Sequence, residues 1–240
     1  YVRPITKTVY AITLKLRYCC GKRFIEIMGI SRMPSSNSTV IHREIGIDCG
    51  HRVPDHGSKC RSPHGHRYRV ISTCAGDLVQ DFGHPEHGMV IDFGHIKQFM
   101  MDLLDAIFDH AFVVAGHDEV LMNMYFPGED PEDVITRYFV ELENQLEDYC
   151  QQIKRGDNKP QPIQLPKTLV SKQDPDGMKI VPVSYTPTAE NMAKHMFELM
   201  DRVMSSYYRA DLISMTNIRL YETPNGSVDY PAGTTILGLE

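Results

Sequence analysis

No run in the sequence approaches about 18 apolar residues, so it offers no transmembrane helix. It has no collagen-like period, no low-complexity tract and no repeat of about 20–50 residues, which sets aside fibrous and solenoid architectures. Six cysteines in 240 residues are too few for a disulfide scaffold, so a reducing compartment is the default. The cytoplasm is the expected location, with an organelle address in the basic N-terminus as the alternative. Basic charge is scarce outside one segment. Residues 1–34 carry seven Lys or Arg against the single acid Glu26, a balance of +6, which leaves −12 on the rest of a chain whose total is −6. Such a body repels a phosphate backbone, and general nucleic-acid binding is not expected. The basic head lacks the ordered basic, apolar and small-residue regions of a secretory signal. The sequence begins at Tyr1 rather than Met, and Met33, ahead of the Ser-rich Pro34–Ser38, is a candidate internal start.

What is present suits a globular protein. The hydrophobic fraction is 42% and the charged fraction 23%, on a chain of 27.3 kDa that is long enough to bury a core. Val40–Asp48 reads as a strand. A loop rich in Pro, Gly and His follows (Gly50–Pro63), then a second, alternating strand at Arg67–Cys74. Gly76–Gly88 is a connecting loop. Asp92 is a suitable N-cap, and Ile96, Phe99, Met100, Leu103, Leu104 and Ile107 recur at helical spacing, which predicts a helix over about 93–108. Pro131–Lys154 carries a second helical stripe of Val134, Tyr138, Leu142, Leu146, Tyr149 and Ile153. Residues 156–178, rich in Pro, Gly, Asp and Lys, read as a mobile surface excursion. Lys179–Ser184 reads as a short strand. Thr188 caps a third helix with Met192, Met196, Leu199, Met200 and Val203 inside. Ile213–Tyr221 and Thr235–Leu239 are expected closing strands around an Asn225-Gly226 turn. This order argues for α+β, with helices on one face of an antiparallel sheet.

Five of the eleven histidines fall within residues 42–66. In His64-Gly65-His66, residues i and i+2 of a strand point to one face, and Gly65 leaves room between the rings. His51, at the end of the preceding strand, reaches the same face in a hairpin-like pair. Three imidazoles of this kind suit a zinc ion with one open position, the arrangement of a catalytic site. A His-rich surface loop is the plain alternative. Cys60, between Lys59 and Arg61, is placed to act as base or nucleophile, since neighbouring cations favour a thiolate. It could equally be a fourth ligand or an inert loop thiol. Cys49 is favoured as a buried small residue over a ligand. Asp109-His110 suits a proton relay, although such pairs often only cap helices. Glu222, ending an apolar strand, is either solvated or an acceptor for the N–H groups of a guanidine-like heterocycle.

Taken in order, Ile47-Asp48-Cys49-Gly50-His51-Arg52, Lys59-Cys60-x-x-x-His64-Gly65-His66, Gly88-Met89-Val90-Ile91-Asp92-Phe93, Phe108-Asp109-His110, Pro187-Thr188-Ala189-Glu190-Asn191 and Tyr221-Glu222-Thr223 resemble the 6-pyruvoyltetrahydropterin and 6-carboxytetrahydropterin synthase family. The segments span about residues 40–110 and 185–230, roughly half of the chain. The resemblance implies a tunnelling fold: a four-stranded antiparallel sheet with two main helices on one face, assembled into trimers or hexamers with active sites between subunits. It implies Zn²⁺ on His51, His64 and His66, and Cys60 as the proton-abstracting residue with Asp109 and His110 as relay partners. It further implies Glu222 as the pterin anchor, often counted with the relay, and Thr188 and Glu190 at the substrate. The Cys-x-x-x-His-Gly-His spacing resembles the carboxy branch.

The expected function is a zinc-dependent carbon–carbon and carbon–oxygen lyase. It would convert 7,8-dihydroneopterin triphosphate to 6-carboxy-5,6,7,8-tetrahydropterin with release of acetaldehyde and triphosphate, on the route to 7-deazaguanine compounds such as queuosine precursors. The pyruvoyl reaction of the biopterin route is the runner-up. A non-catalytic zinc-binding structural module, its shell closed by Cys49 or Cys60, is the reading of another class. Lys59, Arg67, Arg69 and Lys97 are candidates for a basic patch at the triphosphate. The partners expected are this small-molecule substrate and further copies of the chain, with no nucleic acid and no membrane. Three features depart from the family: Cys49-Gly50 replaces the usual Ala-Ala, the link 111–186 is long, and the first forty residues match no part of it. The expected organisation is a basic N-terminal extension (1–37) and a single domain (38–240) with a helical insertion at about 111–185.

Overall fold

The computed structural model describes residues 10–19, 22–32, 38–157 and 159–232. Within the basic head, β1 (Tyr10–Cys19) and β2 (Lys22–Arg32) pair antiparallel as a separate two-stranded sheet. The body is built on β3 (Thr39–His51) and β4 (His64–Gly76), which pair antiparallel without a break from Thr39↔Gly76 to His51↔His64. β7 (Ile213–Thr223) pairs with β4, and β8 (Gly226–Tyr230) folds back on β7. The turn is where the Asn225-Gly226 signal puts it, but the returning strand starts at once. The expected strand Thr235–Leu239 lies outside the described residues.

The expected four-stranded sheet is a six-stranded one. β5 (Ala111–Ala115) and β6 (Ile180–Val183), at the two ends of the insertion, add parallel to the end of β3, giving the order β6-β5-β3-β4-β7-β8. The two added strands are continuous apolar runs with no alternation, the pattern of a strand covered on both faces. They bury Val113, Val114, Ile180, Val181 and Val183.

Helices cover one face of the sheet. Asp92 accepts the Gly94 N–H at 2.6 Å and starts α1 (Phe93–Phe99), which runs through a π-helical stretch, Met100–Asp105, into α2 (Ala106–Phe108). Their apolar stripe meets Ile45, Ile47 and Cys49 of β3 and Tyr68, Val70 and Cys74 of β4 in one core. After α3 (Glu119–Tyr125), Asp130 caps α4 (Pro131–Lys154), whose Pro131 sits in the first turn, where its missing N–H costs nothing. The predicted stripe of α4 is buried, and Tyr149 donates to Asp102 across the layer at 2.8 Å. Thr188 caps α5 (Ala189–Met204), which lies on β7 and β8. Residues 156–178, expected to be a mobile excursion, lie partly against the body. Ile163 is buried and its N–H donates to the Asp102 carbonyl at 3.0 Å. Among the described residues, no helix is long and apolar enough to cross a membrane.

Candidate metal centre and active site

The β3–β4 register decides the geometry of the histidines. His51 stands opposite His64, and Cys49 opposite His66, so all three rings rise from the core face where the hairpin ends. Their ring centroids lie 4.6, 5.4 and 5.0 Å apart, and one nitrogen from each falls within 4.8 Å of the others. Gly65 between them allows close approach of the two strands: a Cβ there would sit 3.1 Å from the Cys49 carbonyl oxygen, a tight contact.

The donor set fits a metal ion. His51 Nδ1 donates to the Pro187 carbonyl at 2.6 Å and His64 Nδ1 to the Ser62 carbonyl at 2.8 Å. Each of these bonds orients its ring and leaves Nε2 as the ligand atom. His66 Nε2 is buried with no hydrogen-bond partner, an arrangement that costs energy unless something else binds that nitrogen. Burial pulls the pKa of His51 below its usual range. The neighbouring His64 and His66 add to this, while the Pro187 carbonyl and Glu222 oppose it. The result favours the neutral, ligating form. Among the described residues the cluster holds the three histidines alone. Cys49 is buried in the core, and burial pushes its thiol up to about 12, so it behaves as a small apolar residue.

Two cavities flank this cluster. The smaller, about 390 Å³, is bordered by His51, Cys60, Thr188, Glu190 and Glu222, five of the expected site residues. Its size falls within the range of small-molecule sites. Cys60 sits half-buried on a single 3₁₀ turn, Lys59–Arg61, fastened by its carbonyl accepting the Val53 N–H at 2.8 Å. Glu222 Oε1 lies 3.6 Å from His51 Nε2 and 3.8 Å from His66 Nε2, and accepts the Tyr68 hydroxyl at 3.3 Å. Tyr68, fully buried, also meets His51 Nε2 at 3.2 Å. Burial, and then the Glu222 charge, pushes the Tyr68 hydroxyl up, so it stays a neutral donor. The sequence reasoning missed Tyr68, although its place two residues after His66 puts it on the same face.

The larger cavity, about 1110 Å³, is bordered by Asp109, His110, His66, Lys167 and Lys179. Within one chain, Asp109 and His110 therefore do not border the cavity of Cys60. His110 Nδ1 lies 2.5 Å from Asp109 Oδ2, and Asp109 Oδ1 accepts the Asp48 N–H at 2.9 Å. Burial raises the Asp109 carboxyl, but the Asp48 N–H and His110 outweigh it and hold the group below the ordinary range. The basic patch needs correcting. Arg67 is paired with Asp48 at 2.8 Å, and Arg69 is bidentate to Glu44, also at 2.8 Å, so both cations have carboxylate partners on the outward face. Lys59 and Lys97 are exposed.

A family model described as 6-pyruvoyl tetrahydropterin synthase matches residues 40–232, and the chain belongs to this family of pterin-processing enzymes. Its curated relatives narrow the class. A 6-carboxy-5,6,7,8-tetrahydropterin synthase of Rickettsia bellii is 27% identical over 187 residues, covering 78% of this chain and 96% of the relative. Another of that description, from Aquifex aeolicus, is 24% identical over 173 residues, covering 72% of this chain and 76% of the relative. Among solved structures, an uncharacterised protein of Wolinella succinogenes aligns with TM-score 0.52 and 19% identity, covering 81% of this chain and 98% of that one, and shares the fold.

Proposed function

We propose that the chain is a zinc-dependent 6-carboxytetrahydropterin synthase-like lyase that, with one water consumed, splits 7,8-dihydroneopterin triphosphate into 6-carboxy-5,6,7,8-tetrahydropterin, acetaldehyde and triphosphate. One observation carries the reading: three ligand-ready histidines stand beside a small cavity that also holds Cys60 and Glu222. The names of the relatives and the Cys60-x-x-x-His64 spacing support the carboxy product. His51, His64 and His66 hold the zinc, which when bound supplies Lewis acidity toward the substrate's side-chain hydroxyls.

The remaining roles belong to the protein. Glu222, steadied by the Tyr68 hydroxyl, accepts the N–H donors of the pterin's amino-pyrimidine edge. Thr188 and Glu190 border the same cavity and contact the substrate there. Cys60 takes a proton from the substrate side chain. The Asp109–His110 pair receives and returns protons, with Asp109 orienting the imidazole. Because the pair borders the other cavity of its own chain, we assign it to the Cys60 cavity of a neighbouring copy in a trimer or hexamer. The test is incubation of the zinc-loaded protein with 7,8-dihydroneopterin triphosphate and identification of products by mass spectrometry. Acetaldehyde with the 6-carboxy pterin is expected. A 6-pyruvoyl product would move the chain to the biopterin route, and no turnover with zinc in place would overturn the enzyme reading.

A further inference from the structure

The long insertion ends at a lysine whose contacts the roles above do not use. Lys179 precedes β6, and its own carbonyl accepts the Phe112 N–H at 3.0 Å, which ties its backbone to β5. Its half-buried side chain turns back to the end of α2. There Nζ donates to the Asp109 carbonyl at 2.7 Å and to the Asp105 carbonyl at 3.3 Å. The Asp109 carbonyl belongs to the peptide group that joins Asp109 to His110. The other end of that peptide group, the His110 N–H, donates to the Asp48 carbonyl at 2.7 Å. One peptide is thus held at both ends, by β3 on one side and by the insertion on the other.

The residue after this peptide is strained. His110 has φ +54°, in the left-handed region. That conformation is unfavourable for a residue with a Cβ and persists only where the surroundings impose it. The pinned peptide plane is such an imposition. The Asp109 carboxylate adds a third restraint through Asp48 N–H and His110 Nδ1. The exposed imidazole of His110 consequently leaves the surface in a direction set by backbone clamps, since little packing surrounds it.

We propose that Lys179 is a positioning residue for the Asp109–His110 pair: by fixing the peptide between them it keeps His110 in its left-handed conformation and aims the imidazole. The inference rests on the relay reading of that pair, and it gives the insertion a part in the reaction. A lysine that served only to cap the end of α2 would affect stability and leave His110 where it is.

The experiment uses the zinc-loaded full chain and 7,8-dihydroneopterin triphosphate. Lys179→Met lowers kcat by about 10–100-fold with KM changed less than about twofold, the signature of a misplaced proton-transfer group. Lys179→Arg, which keeps a donor at the Asp109 carbonyl, recovers kcat to within about threefold. A crystal structure of Lys179→Met shows His110 at negative φ with the Asp109 carbonyl turned. Wild-type kcat in Lys179→Met, or a positive φ at His110 in its structure, overturns the proposal. Loss of kcat that follows loss of zinc or of Tm, with no recovery in the Arg variant, overturns it too. If the Met variant does not fold, Lys179→Ala, which also lacks a donor, is read in the same way. His110→Ala separates the two failures. Full turnover there sinks the relay reading itself, whereas loss of turnover there beside an unaffected Lys179→Met sinks the positioning role alone.

Discussion

His66 shows how much a single atom says about this site. Its Nε2 is buried without a hydrogen bond, while His51 and His64 each spend Nδ1 on a backbone carbonyl. A polar nitrogen left this way costs about 1–3 kcal/mol, which a bound metal would recover. Replacing His64 with Ala removes one of three ligands, and bound zinc should fall well below one per chain by elemental analysis. Cys60→Ala tests the opposite property. Cys60 lies on a separate 3₁₀ turn outside the histidine cluster, so zinc content should hold while turnover falls by about 10²–10⁴-fold. Loss of zinc in that variant would make Cys60 a ligand. Glu222→Gln keeps the shape but loses the charge that draws N–H donors, so pterin binding by calorimetry should weaken about tenfold or more with zinc retained. Unchanged binding would remove the anchor role. These residues were legible because two-residue spacing on a strand is a geometric statement. Lys179 was not legible, since its partners are carbonyls some seventy residues earlier in the chain and carbonyls leave no mark on sequence.

At the scale of elements, the apolar stripes of α1, α4 and α5 and the caps Asp92 and Thr188 could be read directly, because both caps accept N–H bonds in the first turns they open. β5 was not read, because Phe112-Val113-Val114 is a short apolar run with no period to distinguish strand from helix. The π-helical stretch was equally silent, since its residues continue the helical spacing. β5 also explains an oddity of β3. A Cβ on Gly50 would lie 2.5 Å from Phe112 Cδ2, so glycine at that position makes room for the added strand. Gly50→Ala should cost about 1–3 kcal/mol in chemical denaturation, and less in a Phe112→Leu background. On α5, burial pushes the Asp201 carboxyl from its ordinary 3.8 up to about 6. Between those values the folded chain binds the proton more tightly than the unfolded one, so stability falls as pH rises through that window and stays lowered above it. Asp201→Asn should therefore raise stability by about 2–3 kcal/mol at pH 7.5, and the gain should vanish near pH 4. A gain that persists at pH 4 would place its cause elsewhere.

For the whole molecule, the decisive fact is the division of the site residues between two cavities. His51, Cys60 and Glu222 meet at one, and Asp109 with His110 opens on the other, which His66 also borders. The sequence placed every one of these residues in a plausible role but carried no information about which of them share a cavity within one chain, because that depends on how β3, β4 and the end of α2 converge. Under the proposed function, a complete site requires a second copy, which would bring its Asp109–His110 pair to the Cys60 of the first. This is the central claim, and complementation tests it most directly. Cys60→Ala and His110→Ala, each inactive alone, are mixed, dissociated and reassembled. Shared sites predict that about a quarter of wild-type turnover returns, because random assembly pairs an intact Cys60 with an intact His110 at about one site in four. A mixture that stays as inactive as its components, with assembly confirmed by light scattering, would contradict the account and place the whole reaction within one chain.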